Sequence, residues 1–363
     1  MAFILTFLGK GGTGRTTVAL AAAQQLASQG KRVLLASQDV GPALLQALKL
    51  DSLGVEPQTV GANLSVAQVQ TTTLLSQSWS EVKELEAQYL RTPFLKSVFA
   101  EELGVLPGMR QALTLYWLRT LDASNQYDVI VLDGADSQGI LHMFGIPEVG
   151  SWYARRFKKV FDNSDFAKTI MPLLQPIAST VLSSGDLFSN NFSQPFGEVD
   201  GILESGQKAI ADPSRVAAFL VTTADPIAQK TALQLWGSAQ QVNLTVGGVL
   251  STPSLNEGSI TGFDPLPCTT VGKGSYDAIA SQLPDFMSQA QAAPRPMTID
   301  LNQRQVTLFL PGFEKSQVKL IQSGPELTIE AGDQRRNLLL PQALQGGRVT
   351  GAKFQNSSLI ITV

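Results

Sequence analysis

Cysteine and histidine are almost absent from this chain of 363 residues, which contains one of each, Cys268 and His142. A disulfide within the chain is therefore excluded, and so is a zinc site built from paired cysteines. Charged residues are also sparse, at 16%, and the net charge of -3 provides no overall basic field that would attract nucleic acid.

Long apolar runs are missing as well. No stretch of about 18 or more uninterrupted apolar residues suggests a membrane-spanning helix, and no signal or transit segment precedes the first apolar run at Phe3. We therefore expect a cytoplasmic protein with no zinc, no nucleic acid partner and no integral membrane span.

A glycine-rich loop at residues 9–17 is the most informative feature that is present. It reads Gly-Lys-Gly-Gly-Thr-Gly-Arg-Thr-Thr, between an apolar run at residues 3–8 and an alanine-rich helical pattern at residues 18–27. The backbone N–H groups of such a loop and the N-terminus of the next helix bind phosphates. The alternative is a tight strand-to-helix turn without a ligand. The expected phosphate-binding residues are Gly11, Gly12, Thr13, Gly14, Arg15, Thr16 and Thr17.

Arg15 occupies the position where the strict P-loop pattern has lysine. Arginine is a planar and bulkier fork that can still neutralise the β- and γ-phosphates of ATP. A displacement of these phosphates by about an ångström would slow the reaction on the order of 100-fold. The sequence therefore predicts ATP binding with weak hydrolysis.

The order of apolar and helical segments predicts an α/β fold. Strand-like runs at residues 32–37, 64–69, 128–133, 216–221 and 245–250 alternate with helical stretches, which favours a doubly wound, mostly parallel sheet of the P-loop NTPase type. Helical insertions at about 74–120 and 150–212 would form a subdomain at the carboxyl ends of the strands, where ligands of such sheets bind.

The character of the chain changes near residue 290. A linker composition at residues 291–297 is followed by short strand-like runs separated by turn residues. We predict a P-loop ATPase domain at residues 1–290 and an all-β sandwich at residues 298–363.

Four sequence blocks resemble the arsenical-pump and tail-anchored-protein-targeting (ArsA/Get) ATPase family, over about residues 1–290. Residues 10–17 resemble its P-loop, and residues 37–39 resemble its switch I. Residues 127–135, together with the later 146–148, resemble its switch II, and residues 106–109 resemble a Pro-Gly block of its helical insertion.

The resemblance implies roles for individual residues. Thr16 would coordinate Mg²⁺ directly, Asp133 would hold it through water, and Asp39 would orient the attacking water. For the two aspartates, the alternative is an ordinary helix cap or loop acid. Lys10 marks the deviant P-loop of dimeric ATPases and would reach the nucleotide of the partner subunit, so a homodimer is implied. The catalytic residues implied in this way are Lys10, Arg15 and Asp39.

Several positions depart from that family. The family's Pro-Ala-His of switch I is Val40-Gly41-Pro42 here, the switch II block differs at residues 134–139, and the asparagine near adenine is Ser251. The thiols that bind arsenite or an intersubunit zinc ion have no counterpart, so arsenite transport is not expected.

The last segment resembles the α-crystallin domain of small heat-shock proteins. Residues 308–315 contain its Leu-Pro-Gly-Phe block, and residues 352–361 resemble its closing strand, although Ser358 breaks the pattern. Within the ATPase family, such an appended domain and the absent zinc cysteines resemble the branch of cyanobacteria and chloroplasts.

The resemblance implies a homodimeric, ATP-dependent chaperone or targeting factor that binds hydrophobic segments of client proteins. A nucleotide-gated scaffold without hydrolysis and a partition or septum-positioning ATPase remain alternatives. Each client-binding candidate could equally be a core residue of a helical layer. These candidates are Met143, Phe144, Ile170, Met171, Leu173 and Leu174.

Overall fold

The computed structural model describes residues 1–77, 79–80, 108–162, 193–254 and 258–363. They form one eight-stranded sheet flanked by helices and, later in the chain, a four-stranded and a three-stranded sheet. Within those ranges, none of the helices combines the length and the apolar character that crossing a bilayer requires.

The eight-stranded sheet has the order β3-β4-β2-β5-β1-β6-β7-β8. Its neighbouring strands are parallel, except for the antiparallel pair of β3 and β4. This arrangement confirms the predicted α/β fold with a mostly parallel sheet. The strands are β1 (Phe3–Leu8), β2 (Val33–Ser37), β3 (Gln58–Gly61), β4 (Leu64–Gln68), β5 (Val129–Asp133), β6 (Val216–Thr222), β7 (Val246–Ser251) and β8 (Cys268–Thr270).

Helices cover both faces of this sheet, which explains why its strands are nearly continuous apolar runs. Successive side chains of a strand point to opposite faces. Leu5 and Phe7 therefore join one buried cluster with α1, α7 and α8, whereas Leu8 joins the other with α3, α4 and α6. The helices are α1 (Arg15–Ser28), α2 (Ala43–Leu48), α3 (Met109–Ala123), α4 (Ser137–Asp162), α5 (Ser193–Ala211), α6 (Pro226–Gln241), α7 (Tyr276–Ala280) and α8 (Phe286–Ala292).

Helix α1 is rich in alanine, the best helix former, and its alanines at positions 19 and 21–23 are fully buried against the sheet. These small side chains let the helix approach the strands closely. The helix ends where Gly30 takes a left-handed φ of 83° and its amide donates to the carbonyl oxygen of Ala27, as glycine commonly does after a helix.

The described parts of the two predicted insertions are helical. Residues 74–77, residues 79–80 and most of α3 belong to the first, and the end of α4 together with α5 belongs to the second. Met143 and Phe144 are buried in the core, which supports the alternative that they are core residues. The other client-binding candidates, Ile170, Met171, Leu173 and Leu174, lie outside the described residues.

The end of the chain is antiparallel and all-β, as predicted. Its four-stranded sheet has the order β14-β15-β10-β9, and its three-stranded sheet has the order β11-β12-β13. A shared core that includes Leu308, Ile329 and Ile361 lies between them. The strands are β9 (Met297–Asp300), β10 (Gln305–Phe309), β11 (Val318–Ser323), β12 (Glu326–Ala331), β13 (Gln334–Leu339), β14 (Gly351–Gln355) and β15 (Ser358–Thr362).

This C-terminal β region packs directly on α6. Trp236 and Phe309 meet edge to face with ring centroids 5.1 Å apart. Gly312, with a φ of +77°, lies so close to α6 that an added Cβ would be 2.5 Å from the carbonyl carbon of Leu233. Glycine is therefore required there both for its conformation and for the close approach of two backbones.

Replacing Gly312 by alanine tests this contact, with Gly346 as a matched control. Gly346 also has a positive φ, of +87°, but an added Cβ would meet nothing within 4 Å. Gly346→Ala should therefore lower the free energy of unfolding by only about 1 kcal/mol, whereas Gly312→Ala should lower it by roughly 3 kcal/mol or more. Urea denaturation measures both, and equal losses would contradict the close approach.

Candidate nucleotide-binding site

The glycine-rich loop joins the carboxyl end of β1 to the first residue of α1. Gly12 and Gly14 have φ values of 85° and 87°, in the left-handed region that glycine adopts without strain. At Gly9, an added Cβ would collide with the carbonyl oxygen of Val221. These three positions require glycine for the path of the chain, before any ligand is considered.

Thr13 holds the loop in shape. Its hydroxyl donates to the carbonyl oxygen of Lys10 at 2.8 Å, and its own carbonyl oxygen accepts a bond of 2.7 Å from the hydroxyl of Thr252, which follows β7. Thr13 is buried, whereas Gly11, Gly12 and Thr17 are exposed at the surface. The loop is therefore preorganised, with its outer residues open to a ligand.

The N-terminus of α1 lies at the end of this loop. Gly14 occupies the N-cap position and provides no side-chain cap, and the first turn has no acidic residue. The first amides of a helix lack partners within the helix and carry a partial positive charge. This end of α1 is consequently suited to an anion.

Three polar side chains meet beneath the loop because β5 pairs with both β1 and β2. The hydroxyl of Thr16 donates to Oδ1 of Asp133 at 3.2 Å, and the hydroxyl of Ser37 donates to Oδ2 at 3.3 Å. Hydroxyl and carboxylate oxygens are ligands that Mg²⁺ accepts, usually together with substrate phosphates. In the described ranges, no three His, Cys, Asp or Glu side chains form a group that could hold a metal ion.

Asp133 is 2% exposed. Burial raises the pKa of its carboxyl from 3.8 to about 6, against the opposing effects of Thr16, Arg15 and Ser37. Desolvation disfavours the charged form of a carboxyl group, so a bound cation would relieve an existing electrostatic cost at this position.

Arg15 contacts the loop after β5, residues 134–136, which we call the switch II loop. Its guanidinium donates to the carbonyl oxygens of Gly134 and Ala135, both at 3.2 Å, and lies 3.4 Å from the hydroxyl of Ser137. The side chain that sequence reasoning assigned to the phosphates is thus bound to the backbone of the switch II loop.

Asp39 follows β2 and is exposed. Its Oδ1 accepts the amide of Gly41 at 2.8 Å, and its carbonyl oxygen accepts a bond of 2.8 Å from the side chain of Gln68. Its charge is close enough to raise the pKa of Asp133. The structure therefore brings Asp39 to the same edge of the sheet as Thr16 and Asp133.

Lys10 is exposed. In the part of the chain that the structure describes, its ammonium group makes no hydrogen bond or ion pair.

Sequence reasoning missed two residues that join the elements of the site. The hydroxyl of Ser137, the first residue of α4, both donates to the carbonyl oxygen of Gly9 and accepts its amide, each at 3.0 Å. Gln38 accepts the amide of Ala135 at 3.4 Å and donates to Thr114 at 3.2 Å. Each is a polar residue that directly follows a buried strand or the loop after such a strand. That position in the sequence was the signal by which both residues could have been found.

Comparison with known proteins gives two family matches. The sequence model of the anion-transporting ATPase family matches residues 1–260, and that of an HSP20-like domain found in ArsA proteins matches residues 302–363. These matches confirm the resemblance drawn from the sequence, both for the ATPase part and for the C-terminal β region.

Individual relatives agree with the family matches. A putative arsenical pump-driving ATPase of Chlorobaculum tepidum is 25% identical over 99% of this chain and 95% of its own length. A protein of that description from Aquifex aeolicus is 21% identical over 99% of both chains. The ATPase GET3 of Malassezia globosa is 30% identical over 47% of this chain and 48% of its own length.

The raised pKa of Asp133 predicts how stability depends on pH without nucleotide. Because the folded pKa of about 6 exceeds the ordinary 3.8, the native state binds more protons between these values. The free energy of unfolding should therefore fall as the pH rises from about 4 to about 6, by roughly 2–3 kcal/mol. Asp133→Asn should remove that fall and be the more stable protein at neutral pH.

Asp128→Asn is the matched control, because Arg32 lowers the pKa of Asp128 to about 2. It should not gain stability at neutral pH. Chemical denaturation across the pH range measures both variants, and an unchanged pH dependence in Asp133→Asn would contradict the burial argument.

Proposed function

Because this chain belongs to the anion-transporting ATPase family, we propose that its loop at residues 10–17 binds the phosphates of ATP and that the protein hydrolyses ATP slowly. The observation that carries the proposal is the Thr16 hydroxyl, 3.2 Å from the buried carboxylate of Asp133, at the start of a helix with no side-chain cap. A phosphate and a magnesium site would thus adjoin each other.

Each residue then has a defined part. The amides of residues 11–17 would bind the phosphate oxygens, Thr16 would ligate Mg²⁺ and Asp133 would hold it through water. Bound Mg²⁺ would offset the negative charge of the phosphates. Asp39 would orient the attacking water from the loop after β2. Phosphoryl transfer depends mainly on positioning and charge neutralisation, and these residues supply both.

Slow hydrolysis follows from the position of Arg15. Its guanidinium already has acceptors at Gly134, Ala135 and Ser137, and it must give these up before it can contact a phosphate. A lysine could not replace this fork, because its ammonium is a compact point charge. The same observation favours a second candidate function, a nucleotide-gated scaffold in which ATP binds without useful turnover.

A homodimer is the assembly that we propose. Lys10 supports it, since this side chain of the glycine-rich loop is exposed and has no partner among the described residues. In dimeric ATPases with this deviant P-loop, the corresponding lysine contacts the nucleotide of the partner subunit. Sedimentation that finds only monomers in the presence of magnesium and an ATP analogue would contradict this part of the proposal.

The proposed clients are hydrophobic protein segments, including the tails of membrane proteins. One observation speaks against arsenite transport, because the single cysteine, Cys268, cannot form a cluster of thiols. The resemblance to the tail-anchored-protein-targeting members of the family then supports hydrophobic segments as the clients.

Arg15→Lys tests the catalytic part. We expect ATP turnover to rise, by up to about 100-fold, because lysine restores the ordinary placement of the phosphates and frees the switch II loop. Thr16→Ala serves as the inactive control, since it removes the magnesium ligand, and Thr120→Ala removes a hydroxyl that bonds only within its own helix and should leave turnover unchanged. Unchanged turnover in Arg15→Lys would show that Arg15 does not limit hydrolysis.

Client binding is tested with a peptide that carries one apolar, helix-forming tail. We expect the protein to capture it, with an affinity that changes between magnesium-ATP and ADP. The matched control peptide carries lysines along the same helix and should not bind. Equal capture of both peptides, or no capture of either, would refute the client proposal while leaving ATP binding untouched.

A further inference from the structure

The C-terminal β region lies along α4, the helix that begins directly after the switch II loop. Strand β13 and the turn before it contact α4 at successive positions along its length. Gln334 donates to Oε1 of Gln138 at 3.2 Å, and Asp333 lies 3.2 Å from Nε2 of His142. Strand β13 and the turn before it therefore contact the first two turns of α4, next to the candidate nucleotide site.

The same strand holds α4 further along. The amide of Asn337 donates to Oε1 of Glu148 at 2.6 Å, and the guanidinium of Arg335 lies 5.0 Å from the ring centroid of Trp152. Polar contacts thus join β13 to α4 from its first residues to the middle of the helix.

Between these contacts, Arg336 anchors β13 to α6, which lies on the same face of the eight-stranded sheet as α4. This side chain is 3% exposed and donates to the carbonyl oxygen of Gln240 at 2.8 Å and to Oδ1 of Asn243 at 3.1 Å, both at the end of α6. Burial lowers the pKa of the guanidinium, while Glu148 opposes that effect. Arg336 is thus a buried charged residue whose hydrogen bonds join β13 to α6.

Glu148 lies at a weak point of α4. Pro147, the preceding residue, is inside the helix, where it lacks an N–H and removes one bond of the helical ladder. The carbonyl oxygen of Pro147 accepts a bond of 3.0 Å from Gln207 of α5, and Glu148 accepts the amide of β13. The helix is therefore supported from outside at the position where its own hydrogen bonding is interrupted.

The first turn of α4 is hydrogen-bonded to the glycine-rich loop. Ser137 bonds Gly9 in both directions at 3.0 Å, and Arg15 binds the switch II loop that precedes it. Chains of hydrogen bonds and packed side chains of this kind can carry energetic coupling between separate sites.

We propose that the C-terminal β region acts as a brace, which ties the switch II helix α4 to α6 and thereby sets how tightly the P-loop site binds nucleotide. Glu148 is a positioning residue in this arrangement. The inference rests on the proposed function, since it assigns a regulator to the same ATP site. The brace keeps α4, Ser137 and the switch II loop in place before nucleotide arrives, so that less order has to be gained on binding.

The interface is built in a way that allows it to loosen. It contains a cavity of about 320 Å³ lined by Glu148, Gln207, Arg336 and Asn337, together with apolar side chains of α4, α5 and β13. A polar and incompletely filled interface within one chain permits relative motion more readily than a close-packed apolar core.

The test compares the affinity of full-length variants for a non-hydrolysable ATP analogue with magnesium, by calorimetry. Glu148→Ala removes the acceptor of the Asn337 amide and should weaken binding by about fivefold or more. Glu148→Gln keeps an acceptor and should restore most of the affinity. Gln334→Ala removes the hydrogen bond from β13 to Gln138 of α4 and should also weaken binding. Lys319→Ala is the control, because Lys319 pairs with Glu330 inside the β region.

Hydrogen exchange gives the reciprocal measurement, which a purely structural role of Glu148 would not affect. In the unsubstituted protein, the analogue should slow the exchange of the amides of residues 334–339, because coupling between two sites acts in both directions. If Glu148→Ala does not fold, Gln334→Ala and the exchange experiment decide the matter.

The outcomes separate the two proposals. No binding of the analogue by the unsubstituted protein would overturn the proposed ATP site itself. Normal binding by that protein, together with unchanged affinity in the brace variants and unchanged exchange in β13, would overturn the brace alone.

Discussion

The buried carboxylate of Asp133 is the constraint around which the site is arranged. Parallel pairing of β5 with β1 and β2 places this group under the glycine-rich loop, where it is 2% exposed and accepts hydrogen bonds from the hydroxyls of Thr16 and Ser37. Such a group is unfavourable when charged and becomes favourable when a cation approaches. The burial of Asp133 thus has an electrostatic cost that a magnesium ion would relieve.

Arg15 contacts the loop that follows the same strand, β5. Its guanidinium donates to the switch II backbone, so the loop proposed to respond to phosphate is bound to the residue expected to contact phosphate. If the loop binds phosphate as proposed, the phosphate and the switch II backbone would compete for this one side chain. The proposed brace would extend that competition from α4 through β13 to the C-terminal β region.

Much of the fold could be predicted because its signals are local. The apolar runs of β1, β5 and β6 reflect burial on both faces, and the turn residues between short runs at the end of the chain indicated antiparallel strands. Strand β3 was missed because most of its residues are exposed and it has no alternating apolar pattern. The core positions of Met143 and Phe144 could not be told from a client-binding surface by residue type, since both environments favour the same side chains.

The candidate site likewise contains residues that local sequence signals locate and contacts that they do not. The loop, Thr16 and Asp133 could be predicted, because motif spacing and strand ends locate them. The partners of Arg15, the bonds between Ser137 and Gly9, and the anchoring of Arg336 on α6 join residues more than 90 positions apart, and no local pattern records them. The family matches account for the two parts of the chain but do not describe the contacts between those parts.

A crystal structure of the chain with magnesium and a non-hydrolysable ATP analogue would test the central claim most directly. The triphosphate should lie on the amides of residues 11–17, with the hydroxyl of Thr16 on the metal ion and Arg15 withdrawn from the carbonyl oxygens of Gly134 and Ala135. A triphosphate bound elsewhere, or an empty loop at saturating analogue with Arg15 still on the switch II backbone, would contradict the account.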